Sequence, residues 1–67
     1  MIEYKEIVRG MRVYGYFKAD TKAEVDEAMK KYFNDYPFGG YLTEVMRQGE
    51  NLDGGYYAHV VRLGSCD

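Results

Sequence analysis

The amino-acid sequence predicts a small α+β domain of β-α-β-β order, with one helix packed on one face of a small mixed or antiparallel sheet. The sheet has three strands, or four if the chain turns at Gly10. Three observations predict this class: alternating residues in the first third of the chain, an apolar stripe of helical spacing between Thr21 and Tyr36, and an Asp-Gly turn ahead of a final strand-like run. Sixty-seven residues, 46% hydrophobic and 30% charged, suit one globular domain spanning 1–67. A core this small leaves no room for a large buried substrate cavity.

Ile2 to Ala19 is rich in β-branched and aromatic residues, and its second half alternates. Met11, Val13 and Phe17 fall on one side, Arg12, Tyr14, Tyr16 and Lys18 on the other, which is the pattern of a half-buried strand. Gly10 interrupts it. A bend in one long strand is favoured over a hairpin turn, because Arg9-Gly10-Met11-Arg12 lacks the Asn-Gly or Asp-Gly pair of tight hairpins. Thr21 and Glu24 have the spacing of a capping box and start the helix. From there Val25, Ala28, Met29, Tyr32, Phe33 and Tyr36 form one apolar stripe. Asp26 with Lys30 and Glu27 with Lys31 are spaced as i,i+4 ion pairs. Pro37 ends the helix and Gly39-Gly40 is expected to turn the chain back. Tyr41 to Gln48 and Tyr56 to Leu63 are the second and third strands, joined by a loop holding Asp53-Gly54. The helix allows the strands it joins to run parallel, after which the hairpin adds an antiparallel strand.

A helix of roughly 15 residues is about 22 Å long and roofs one side of such a sheet. The other side meets water or a partner. Arg12, Tyr14, Tyr16 and Lys18 are expected there, and the last strand is apolar on both of its faces. Tyr56, Ala58 and Val60 lie on one, Tyr57, His59, Val61 and Leu63 on the other, with the buried side undecided. Eight tyrosines are present, a residue that joins a large apolar ring to a polar tip and is enriched at interfaces. The partner-binding residues expected are therefore Arg12, Tyr14, Tyr16, Lys18, Tyr57, His59 and Val61. The competing reading is that the tyrosines merely cover a thin core.

Nine Lys and Arg against eleven Asp and Glu give a net charge of −2, which argues against a polyanion binder taken as a whole. Residues 1–19 carry +2, while 20–36 and 37–67 carry −2 each, so a nucleic-acid contact must use the first segment. Single-stranded nucleic acid is the rival ligand: Arg12, Tyr14, Tyr16 and Lys18, with Arg9 and Arg62 near, would set rings among cations. No RNA-recognition signature of the Lys/Arg-Gly-Phe/Tyr type occurs.

Catalytic chemistry has few footholds. His59 is the one side chain with an ordinary pKa near neutrality, and a small enzyme would use it, with Cys66 as a candidate nucleophile. A solitary histidine between Ala58 and Val60 reads more simply as a packed or solvent-facing residue, and Cys66 sits one residue from the chain end. One cysteine and one histidine are too few for a structural zinc site. No phosphate-binding glycine pattern occurs, so neither cofactor nor metal is expected. The single cysteine suits a reducing cytosol, and no leader or membrane-spanning run is expected.

In general make-up, a short acidic chain with one capped helix, a small sheet and abundant aromatics, the protein resembles small bacteriophage-encoded accessory proteins. That resemblance implies an inhibitor-type role by stoichiometric binding to a host protein. The expectation is a non-enzymatic protein-binding module working through the open aromatic face or an unpaired strand edge, where pairing also permits a homodimer.

Overall fold

The structure, a computed structural model, describes residues 2–64. The chain opens with a hairpin. β1 (Glu3–Arg9) pairs antiparallel with β2 (Arg12–Ala19) in an unbroken register from Glu3 opposite Lys18 to Arg9 opposite Arg12. The favoured bent strand is thus corrected to a two-residue hairpin at Gly10-Met11. Gly10 has φ +62° and Met11 does not have a positive φ, the Gly-X pattern of a type II′ turn, which matches strand twist as well as Asn-Gly does. Met11, expected on the buried side, sits in this turn at 78% exposure.

Thr21 caps α1 (Lys22–Asp35). Its hydroxyl accepts from the Glu24 amide (3.3 Å) and donates to Glu24 Oε1 (3.0 Å). Val25, Met29 and Tyr32 are buried from α1, with Ala28, Phe33 and Tyr36 packed beside them, as the stripe predicts. Among the described residues this helix carries the ion pair Lys22–Asp26 (2.6 Å), while the expected Asp26–Lys30 and Glu27–Lys31 pairs do not form. Pro37 ends the helix as expected, but the chain does not turn back at Gly39-Gly40. Phe38–Tyr41 form a short helix, α2, and the reversal falls on Leu42, at φ +52°. Thr43 is buried and donates its hydroxyl to the Tyr36 carbonyl, tying this segment to α1.

β3 (Glu44–Glu50) and β4 (Tyr56–Leu63) form the second hairpin, with a bulge between Val45 and Arg47. Tyr41 belongs to α2 and not to a strand, so β3 begins three residues later than the sequence suggests. The sheet has four strands in the order β1-β2-β4-β3 and is antiparallel throughout. β2 and β3, joined through α1, run in the same direction as expected, but β4 lies between them and pairs with both.

α1 packs on the two central strands. The core is Phe17, Ala19, Val25, Met29, Tyr32, Ala58 and Val60. Gly15, opposite Val60, is small for a reason: a Cβ there would come within 3.0 Å of the Tyr4 hydroxyl and of a Val60 methyl. The absent side chain lets the Tyr4 ring lie against Phe17, their centroids 4.8 Å apart.

Candidate functional site

Pairing and burial assign every strand residue to a face. Val13, Gly15, Phe17 and Ala19 alternate as buried along β2, and Ala58, Val60 and Arg62 do so along β4. That settles the side of the last strand left undecided by sequence: Tyr56, Ala58 and Val60 face the helix. Tyr57, His59, Val61 and Leu63 are half-buried on the open side, opposite Lys18, Tyr16, Tyr14 and Arg12 respectively. All seven expected contact residues, Arg12, Tyr14, Tyr16, Lys18, Tyr57, His59 and Val61, therefore share one face.

The register also brings in residues that a strand-by-strand reading missed. Across the sheet run Lys5, Tyr16, His59 and Arg47, one from each strand in the order β1, β2, β4, β3. The next row toward β2's end holds Glu3, Lys18, Tyr57 and Gly49. Between these two rows lies a concave basin of about 530 Å³, whose lining includes Glu3 as well as Lys5, Tyr16, Lys18, Arg47, Tyr57 and His59. The Tyr16 and His59 rings meet edge to face at 4.6 Å, and Tyr57 lies 5.1 Å from His59. Arg47 was missed because β3 alone gives no sign of which strand it borders. Its only available signal was the β-like run ahead of Asp53-Gly54.

Charge is segregated between the faces. The strand residues of the open side carry Lys5, Arg9, Arg12, Lys18 and Arg47 against Glu3 and Glu44, a balance of +3, or +2 with the loop residue Asp53 that pairs with Lys18. The remaining four cations and nine acids leave the rest of the chain at −5. Lys18 has an exposed partner in Asp53 at 3.7 Å. Among the described residues, Lys5, Arg9, Arg12 and Arg47 make no ion pair. Arg9 and Arg12 stand directly opposite each other on the last rung of the first hairpin, and like charges so placed destabilise a strand pair.

Arg62 is a correction. Grouped by sequence with the exposed cations, it is 8% exposed on the helix side. Its Nε donates to the Tyr32 hydroxyl (2.9 Å), its Nη1 to the Leu63 carbonyl (3.0 Å), and its Nη2 lies 3.5 Å from Glu6. The guanidinium stacks 3.8 Å over the Tyr36 ring. This arrangement binds β4, α1 and β1 together and leaves no donor aimed at the open face.

His59 is held below its ordinary pKa of 6.5 by partial burial first and by the Arg47 charge second, so its ring is neutral at pH 7. It makes no hydrogen bond among the described residues, and its neighbours are two phenol rings and a guanidinium. The Cys66 considered as its nucleophilic partner lies outside the described residues. Among the described residues no group of three His, Cys, Asp or Glu is placed to hold a metal ion, and no helix is long and apolar enough to cross a membrane.

Compared with protein-family models, curated proteins and solved structures, the chain matches none. The likeness to phage accessory proteins therefore assigns no residue a role.

Proposed function

We propose that the protein is a non-enzymatic binding module that docks an acidic partner on the open face of its sheet. The observation that carries this reading is the segregation of charge: a chain of net −2 gathers +3 on the strand residues of the face that no helix covers, around a cluster of half-buried rings. A focused positive face attracts anions even when the molecule's total charge is negative. The unfavourable Arg9–Arg12 pairing supports it, since an anion placed between two guanidinium groups turns their repulsion into shared attraction.

The test is amide chemical-shift mapping while a generic polyanion, heparin, is titrated. Shifts are expected along Lys5, Tyr14, Tyr16, Arg47 and His59, and a Lys5→Gln/Arg47→Gln double variant should lose them while keeping its helical far-UV signal. Shifts confined to α1 and its flanks would sink the proposal.

A second reading rests on the β1 edge. β1 has one neighbour in the sheet, and Ile7, Val8 and the adjoining Met11 are 44%, 65% and 78% exposed. A partly apolar edge strand of this kind accepts another strand, from a protein partner or from a second copy. Light scattering behind a sizing column separates the 7.8 kDa monomer from a dimer.

A further inference from the structure

Taking the open face as the docking surface, we infer that its ligand is single-stranded nucleic acid, with bases against the Tyr16–His59–Tyr57 cluster and phosphates on Lys5, Arg47 and the Arg9–Arg12 rung. This inference rests on the binding-module reading and narrows it to one class of partner.

Three features select that class. The first is the row Lys5, Tyr16, His59, Arg47, in which two rings on the central strands are flanked by a cation on each edge strand. Sheets that bind single strands stack unpaired bases on central aromatic side chains while cations track the backbone. Three inter-strand spacings separate the two edge cations, roughly 14 Å, and the Arg9–Arg12 rung lies about 14 Å further along β2, four residues from Tyr16. The cations thus border the ring cluster on three sides. On the fourth, Lys18 is already engaged by Asp53 at 3.7 Å, and Glu3 stands beside it.

The second feature is lysine. Protein interfaces are depleted of Lys and of charge at their centres, whereas Lys5 and the Asp53-paired Lys18 line the basin itself, with Glu3 beside them. The third is the neutral state of the His59 ring, which offers a flat, uncharged surface between two phenols. Duplex fits poorly. Its bases are stacked and inaccessible, and among the described residues no helix or protruding ribbon stands over the open face to enter a groove.

The experiment is fluorescence anisotropy of the full chain with labelled oligouridylate and oligodeoxythymidylate of about ten nucleotides, within the site sizes of sheet-type binders. A duplex of equal length and a polyglutamate of comparable charge are run beside them. Saturable binding of the single strands is expected, at least about tenfold tighter than either control. Log affinity should fall with log salt at a slope of about −2 to −3, as three or four phosphate contacts give on a single strand. Tyr16→Ala should weaken binding about tenfold and Tyr16→Phe should restore it, because stacking needs the ring and not the hydroxyl. Arg9→Gln with Arg12→Gln should flatten the slope by about 1.4.

Polyglutamate binding as tightly as the oligonucleotides overturns the nucleic-acid inference and leaves the open-face reading standing. So does equal affinity of wild type and Tyr16→Ala, with far-UV signals confirming both are folded. Absence of binding to all four probes at low salt overturns both.

Discussion

The two faces of this sheet use the same residue types for opposite ends. On the helix side, Tyr4, Tyr32 and Tyr36 join Phe17 and Arg62 in one packed cluster: Tyr32 meets Phe17 edge-on at 5.5 Å and Tyr36 at a tilt at 5.0 Å, and Arg62 lies over Tyr36. The Tyr4 hydroxyl donates to Glu6 (2.8 Å), and burial with that bond holds its phenol above the ordinary value. On the open side, Tyr14, Tyr16 and Tyr57 stand beside cations of which, among the described residues, only Lys18 has an ion-pair partner. A tyrosine or an arginine is structural here when a second element closes over it and its polar atoms find partners. It stays open to solvent when neither happens. Count and composition do not distinguish the two.

The largest expected effect belongs to Arg62, on the helix side. Arg62→Ala removes a buried, stacked cation, takes its donor from the Tyr32 hydroxyl and opens a void between α1 and β4. About 3 kcal/mol of stability should go, lowering the thermal midpoint by more than about 10 °C for a domain of this size. Arg62→Lys should not restore it, since an ammonium cannot stack flat on Tyr36. A midpoint unchanged in thermal denaturation would show that the helix-side cluster is no more structural than the open side.

His59 supplies the next effect. Its folded pKa lies below 6.5, so the unfolded chain takes up the proton first. Its contribution is intact above pH 6.5 and is lost as pH falls from there through the depressed value. Wild type should therefore lose more stability than His59→Gln when denaturant midpoints are compared between about pH 7.5 and 5.5. Parallel loss in the two proteins would place the acid sensitivity elsewhere.

The smallest effect has the opposite sign. Arg12→Gln removes the like-charge rung with Arg9 and should stabilise the fold by a few tenths of a kcal/mol at low salt, the gain fading as salt is added. Destabilisation would mean that Arg12 holds the hairpin together by contacts other than charge.

Much of this architecture was legible in local pattern. The Thr21–Glu24 box, the stripe from Val25 to Tyr36 and the alternation from Arg12 to Ala19 each concern residues a few positions apart, and each holds in the structure. The misread elements were those where more than one local pattern was open. Gly10 allowed a bend or a type II′ turn, and Gly39-Gly40, which suggested a loop, fits a short helix once Pro37 sets its first turn. The open face was half visible: Arg12, Tyr14, Tyr16 and Lys18 follow from period two alone and Arg9 was expected near them, while Lys5 and Arg47 required the neighbouring strands.

By itself the order of residues determined where the helix starts and stops, which side of β2 is apolar, and that a single helix leaves one sheet face bare, because these depend on backbone sterics and short-range periodicity. Only the tertiary structure decided that β4 inserts between β2 and β3, that Arg62 is buried while Arg47 borders His59, and that positive charge collects on the uncovered side. Those outcomes turn on register between strands far apart in sequence. A shift of one residue would send every side chain of β4 to the opposite face.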